Sequence, residues 1–414
     1  MKILQSGDLH LGKLFSDFSL IDDQKYVLDQ LIEELNLAKS KNEPYDVLLL
    51  CGDIYDRAIP PVEACQLFSS FLTKLNKNQP ELPILIISGN HDSANRLSFA
   101  SELLKSQNIF IVTSPNQIEK PICIKNTEFF LIPFLNAGSI SMPCPPCPPA
   151  QIEQIEQIEQ NEASEKCEAK NTDAITSQSE MLKVAVEIIK NAKDNSKCSV
   201  VMAHLFAAGS VTSDSERTIW GNAEQVDSHL FDDFTYTALG HLHRYQKAGK
   251  AFYSGSPLVY SFDECKNEKC FLKIEFDDTI STKATPQVTP IFIKPLRKAV
   301  RLAGNFNDFF IGTKYDEFCD CYCEISIDNE EIVENPVMLL KNKFKYLLSF
   351  KQDKAFANVV SEQIENRKLG EKESIFEQFK MFLAEVSENI DENEIELFKT
   401  CQEKIENQNI EGYL

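Results

Sequence analysis

Five short apolar runs in this chain each end on a carboxylate, a carboxamide or an imidazole, and no other feature restricts the fold as tightly. Lys2–Ser6 leads into Asp8-Leu9-His10. Asp46–Cys51 leads into Gly52-Asp53-Ile54-Tyr55-Asp56, and Pro83–Ser88 into Gly89-Asn90-His91-Asp92. Ser199–Ala203 delivers His204, and Tyr236–Leu239 delivers Gly240-His241-Leu242-His243. The run at 46–51 has no polar alternation, as expected of a strand buried on both faces. Between the runs the period changes. Val27, Leu28, Leu31, Ile32 and Leu35 share one face of a helix predicted over 22–41. Pro61 opens a second helix to about Lys77, Arg96–Ser106 reads as a third and Met181–Ala192 as a fourth. Strand and helix in alternation predict an α/β fold, whose ligand site lies beyond the carboxyl ends of its strands. The motifs fall at those ends.

At 414 residues more than one domain is expected. The core domain is predicted over 1–278. Its pattern is interrupted at 138–178, where a Cys-Pro-Pro-Cys stretch around Cys144 and Cys147 precedes three Ile-Glu-Gln repeats, and this reads as a low-complexity surface insertion. A small α/β module is predicted to follow over 279–365. Its first part, Thr279 to Asn307, has no acidic residue but carries Lys294, Arg297, Lys298 and Arg301. Cys319, Cys321, Cys323, Ile325 and Ile327 alternate with polar residues, the pattern of a half-buried strand rather than a metal site. The tail, 366–414, reads as two amphipathic helices, with Phe379 on one apolar face and Phe398 on the other.

The formal net charge of −21 argues against a nucleic-acid binder if taken as a whole. It is unevenly spread, however, because the insertion and tail are acidic and the middle module is basic. Thirteen cysteines without a framework spacing, and no signal peptide or membrane-spanning run, suit a reducing cytoplasm.

Five of the six histidines lie in the motifs, and only His229 lies outside. Imidazole, carboxylate and carboxamide converging from several loops is the donor set a two-cation hydrolase needs. Such a site requires one bridging carboxylate, for which Asp53 is the candidate. Asp8, His10 and His243 would complete one shell; Asn90, His204 and His241 would complete the other. These donors suit manganese, iron or zinc better than calcium. His91 stands beside a proposed ligand and is expected to face substrate, as a phosphate contact or an acid for the leaving oxygen. Asp56 is expected to orient His91 and raise its pKa.

The ordered set Asp-x-His, Gly-Asp-x-x-Asp, Gly-Asn-His-Asp, His, Gly-His-x-His resembles the calcineurin-like metallophosphoesterase superfamily. Three further stretches narrow the likeness: Gly89 to Leu97, Ser213-Asp214-Ser215-Glu216-Arg217, and Tyr253 to Glu264. With Ala238 to Arg244 they resemble the SbcD-type nuclease subunits over about 1–300. The resemblance implies a two-sheet metallophosphoesterase sandwich flanked by helices, with a small α/β cap module and C-terminal helices. It implies a manganese-dependent nuclease, acting as a 3′→5′ exonuclease on duplex and as an endonuclease on single strands and hairpins, in DNA-end processing. It implies a homodimer within a heterotetramer, partnered by an SbcC-like SMC-type ATPase whose coiled coil receives the C-terminal helices. The cap would face DNA, with Arg96, Lys294, Arg297, Lys298 and Arg301 as candidate contacts. A phosphatase acting on monoesters or nucleotides is the alternative, since the metal-ligand set is common to both.

Overall fold

The computed structural model describes residues 1–140, 175–217, 225–279, 284–329, 333–352, 376, 379–380 and 395–400. In chain order the strands of the body are β1 (Lys2–Ser6), β2 (Val47–Cys51), β3 (Ile84–Ile87), β4 (Ile109–Val112), β5 (Ile122–Ile124), β6 (Thr127–Ile132), β7 (Cys198–His204), β8 (Tyr236–Gly240), β9 (Gln246–Ala248), β10 (Ala251–Tyr253), β11 (Cys270–Glu275) and β12 (Gln287–Phe292). They form two six-stranded sheets, ordered β12-β11-β1-β2-β3-β4 and β9-β10-β8-β7-β6-β5. Each has four parallel strands; in the first they run from β1 to the edge strand β4 with two antiparallel strands on the other side, and in the second they are central with one antiparallel strand at each edge.

The alternation along β2 explains the layering. Val47, Leu49 and Cys51 face the other sheet, where they meet Val200, Met202 and Ala238. Leu48 and Leu50 face outward onto α1 (Ile21–Ser40) and α2 (Val62–Asn78). On the far sheet Val201 and Ala203 of β7 pack against Met181, Ala185 and Ile189 of α3 (Gln178–Ala192). The result is helix, sheet, sheet, helix, and all five residues of β2 are buried because apolar layers cover both of its faces. The α1 face read from the sequence is the buried one: Val27, Leu28, Leu31, Ile32 and Leu35 are all in the core. At the start of α3 the Ser177 hydroxyl accepts from the Glu180 amide, closing one of the orphan donors there.

Two expectations change. The helix predicted over 96–106 is broken into Ala94–Leu97, Ser101–Leu104 and a 3-10 turn, because Ala100 sits in the left-handed region at φ 59°. The first sheet also runs past residue 278. β12 pairs antiparallel with β11 from Gln287 to Phe292, and the next strand, β13 (Ala299–Gly304), belongs to a separate small sheet. There β13, β14 (Tyr322–Ile327) and β15 (Tyr346–Gln352) form a parallel three-stranded sheet around Phe309, Cys323, Ile325 and Phe344. Cys323 is buried, while Cys319 and Cys321 precede the strand and are partly exposed.

The Cys144–Cys147 pair and most of the 138–178 insertion lie outside the described residues, as does most of the tail. The described tail residues are helical, and the Phe379 and Phe398 rings stack at 3.8 Å. No helix among the described residues is long and apolar enough to cross a membrane.

Candidate active site

The carboxyl ends of β1, β2, β3, β7 and β8 converge, and their loops carry every proposed ligand. Asp8, His10, Asp53, His204, His241 and His243 are all buried polar groups. The loops after β1 and β2 are stitched together: the amides of Asp8, His10 and Leu11 donate to the carbonyls of Gly52, Asp53 and Ile54 at 3.1, 2.9 and 2.9 Å. Two glycines make the approach possible. A side chain at Gly89 would place Cβ 2.1 Å from Asp53 Oδ1, and one at Gly240 would place it 1.8 Å from the Cys51 carbonyl oxygen. Four proposed ligands adopt left-handed backbone: Asp8 at φ 52°, His10 at 43°, Asp53 at 48° and His241 at 105°. Such conformations cost on the order of 1–3 kcal/mol each and cluster where function demands them.

The side chains divide into two donor sets around Asp53. Asp53 Oδ2 lies 3.5 Å from His10 Nε2 and 3.4 Å from His204 Nε2. On one side His10 Nε2 and His243 Nε2 face each other at 3.1 Å. On the other, Asn90 Oδ1 is 3.0 Å from both His204 Nε2 and His241 Nδ1. Asp8 takes the His241 amide on Oδ1 at 2.8 Å, while its buried Oδ2 has no hydrogen-bond partner among the described residues. Ligand atoms of Asp8, Asp53 and His204 lie within 4.8 Å of one another. An orphaned buried carboxylate oxygen, and imidazole nitrogens turned toward a shared carboxylate, fit divalent cations by donor type and by placement.

Electrostatics separates the members. Burial pushes the Asp8 carboxyl up to about 7, against the pull of His204 and His243. Burial acts the same way on Asp53, but His204, then His10 and His91, outweigh it and hold that carboxyl well below the usual range. Burial lowers the His10 imidazole to about 4 and that of His241 to about 3. Burial would depress His204 too, yet Asp53 raises it to about 9. Neutral rings on His10 and His241 and an ionised Asp53 are the forms that bind cations.

His91 is partly exposed, unlike the six buried ligands. Its amide donates to Asp53 Oδ1 at 2.9 Å, and its Nδ1 is 2.8 Å from the main-chain oxygen of Asp56. Nδ1–H therefore donates there, and Nε2 is left for another partner. Asp56 orients His91 through its backbone, not its carboxylate. That carboxylate takes Lys13 Nζ at 2.8 Å and lies 3.5 Å from His10 Nδ1.

The candidate DNA contacts separate in space. Lys294 and Lys298 are exposed. Arg301 is half-exposed and pairs with Glu324 at 2.7 Å. Arg96 is exposed on the short helix Ala94–Leu97 that follows His91. Arg297 is turned inward instead: its guanidinium meets Asp23 Oδ2 on α1 at 2.5 Å and lies over the Tyr346 ring at 4.9 Å. It joins the small domain to the body.

Sequence reasoning assigned no role to several groups behind the ligands. The Asp92 carboxylate accepts from the amides of Ile54, Tyr55 and Gly89 at 3.0, 2.9 and 2.9 Å, which fastens the β2 loop to the β3 loop. Glu264 is fully buried with Lys269 Nζ 2.5 Å away. Burial would raise its carboxyl, but Lys269, then His243, hold it well below the usual range. Ser215, Glu216 and Glu264 all lie in the stretches 213–217 and 253–264 that the sequence singled out, and those stretches were the available signal.

The calcineurin-like phosphoesterase profile matches residues 1–245. The chain belongs to the calcineurin-like phosphoesterase family. This phosphoesterase is also 30% identical, over 384 residues, to the SbcD subunit of the SbcCD nuclease of Staphylococcus saprophyticus, a match covering 92% of each protein. Among solved structures it is similar to the phosphopantetheinyl hydrolase PptH of Mycobacterium tuberculosis, with 14% identity and a TM-score of 0.32 over 62% of this chain and 90% of that one. Calcineurin-like phosphoesterases are hydrolases that use divalent metal ions, and the two donor sets described above are this chain's candidates to hold them.

Proposed function

We propose that this phosphoesterase is a two-metal DNA nuclease, the catalytic subunit of a DNA-end-processing complex with an SbcC-like SMC-type ATPase. The reading rests above all on the reach of the likeness to a nuclease subunit. At 384 residues it extends well past residue 245, into the small three-stranded domain, so it concerns more than the shared metal ligands.

Bound in the two donor sets, divalent cations, manganese in our reading, would screen the phosphodiester charge and make water nucleophilic at neutral pH. The chain supplies the rest. Asp53 stands between the two sets and ties them into one site. His91, its Nδ1–H fixed on the Asp56 oxygen, keeps Nε2 for the substrate, as a phosphate contact or as the group that protonates the leaving oxygen. Lys294 and Lys298 expose charge for a phosphate backbone with little sequence preference. The net charge of −21 predicts weak DNA affinity for this chain alone, with the ATPase adding grip. The complex is proposed as a dimer of this chain with two ATPase subunits, acting as a 3′→5′ exonuclease on duplex and an endonuclease on hairpins and single strands.

The test is manganese-dependent cleavage of a 3′-labelled duplex and a hairpin, with p-nitrophenyl phosphate alongside. Cleavage lost in His91→Ala supports the reading. Monoester turnover with intact DNA, both without and with the ATPase and ATP, would falsify it.

A further inference from the structure

His243 is held at its amide, its carbonyl and Nδ1 by groups that are not proposed ligands. Its amide donates to Glu216 Oε1, and its carbonyl accepts from Lys269 Nζ at 2.9 Å. Its Nδ1 is 2.7 Å from Ser215 Oγ, and Ser215 Oγ is 2.5 Å from Glu264 Oε1. A carboxylate only accepts, so the Ser215 hydroxyl donates to Glu264 and receives Nδ1–H. That order makes Nε2 the acceptor nitrogen, and Nε2 faces His10 Nε2 at 3.1 Å. In the other set the backing differs: His204 Nδ1 rests on the neutral carbonyl of Cys51 at 2.9 Å.

We infer that Ser215 and Glu264 are positioning residues for the metal held by His10 and His243, acting as a serine-relayed carboxylate that sets the tautomer and basicity of His243. The inference rests on the two-metal reading above. Carboxylate support behind a ligand imidazole orients the ring and strengthens it as a donor. A purely structural Glu264 would need only Lys269, whose Nζ already meets Glu264 Oε2 and the Ser256 hydroxyl. Oε1 is the oxygen turned to the hydroxyls of Ser213, Ser215 and Ser261. Among these, Ser215 is the one that also reaches His243.

The experiment is manganese binding by the full chain, followed by calorimetry and by the free-ion electron paramagnetic resonance signal, with no DNA present. Ser215→Ala is the deciding variant, because it leaves the buried Glu264–Lys269 pair in place. We expect one of two sites to weaken about 10- to 100-fold in Ser215→Ala and in Glu264→Gln, with the second unchanged. Ser215→Thr should restore most of the affinity, since it keeps a hydroxyl. Wild-type affinity at both sites in folded Ser215→Ala overturns the inference, as does equal weakening in Ser215→Thr and Ser215→Ala. Wild-type protein that takes up no manganese refutes the metal reading itself. Wild-type protein that binds two ions but leaves DNA intact refutes only the nuclease.

Discussion

Replacing Arg297 with alanine separates a joint from a DNA contact. The guanidinium sits 2.5 Å from Asp23 Oδ2, and Asp23 is 1% exposed. Removing one partner of a buried pair costs about 3–5 kcal/mol, because the other charge stays behind unpaired. The Tyr322 hydroxyl, 2.8 Å from the same oxygen, remains and offsets about 1 kcal/mol. Arg297 is 22% exposed, so the lower half of the range applies, about 2–3 kcal/mol. Loss of the Tyr346 contact adds about 0.5 kcal/mol. Urea unfolding of Arg297→Ala should therefore show a loss of about 2.5–3.5 kcal/mol, while Lys298→Ala, an exposed neighbour, stays within about 0.5 kcal/mol. In a salt titration of duplex binding the order reverses: Lys298→Ala reduces the slope by about one phosphate contact and Arg297→Ala does not. An Arg297→Ala protein that unfolds like wild type and flattens the salt slope would make Arg297 a DNA contact rather than a joint.

Asp92→Ala strips three amides of their acceptor in a partly buried loop, so stability should fall by about 2–4 kcal/mol in denaturant. Cleavage assayed well below the melting temperature should fall further than unfolding explains, since the same loop carries Asn90 and His91; equal losses would mean that the staple only stabilises. Chelator treatment should lower the melting temperature, by an amount that grows with pH. Burial raises Asp8 from 3.8 to about 7, so between those values the metal-free fold holds a proton that the unfolded chain has released. That fold therefore loses stability as pH rises across the window, and a cation that displaces the proton removes the loss. The melting shift given by manganese should be larger at pH 7.5 than at 5.5, and a pH-independent shift contradicts this.

The convergence of the proposed ligands was legible in the sequence because each sits within a few residues of a buried strand, so local pattern and spatial cluster coincide. The layering of β2 was legible for the same reason. What the sequence did not disclose depends on distant pairs. Ser215 and Glu264 are 49 residues apart, and Arg297 and Asp23 are 274 apart. No periodicity joins such partners. The run of basic residues from Lys294 to Arg301 read as one stripe, but only the fold shows that Arg297 turns inward. That β12 joins the first sheet was not legible either, because it follows a break in the pattern, and pairing with β11, not composition, decides which sheet a strand joins. Ala100 ended a helix without glycine or proline to announce it.

The connection between body and small domain runs only from 293 to 298, between the ends of β12 and β13. Its start is pinned: the Ile293 amide donates to Lys269 and the Lys294 amide to Gln30. Its far end is clasped at Arg297 by Asp23. The tether is anchored at both ends, and the Phe15–Tyr322 and Phe18–Tyr346 ring contacts beside it pack the small sheet against the body. If this domain receives DNA as proposed, the angle it holds against the body, rather than a distance, is the quantity to measure.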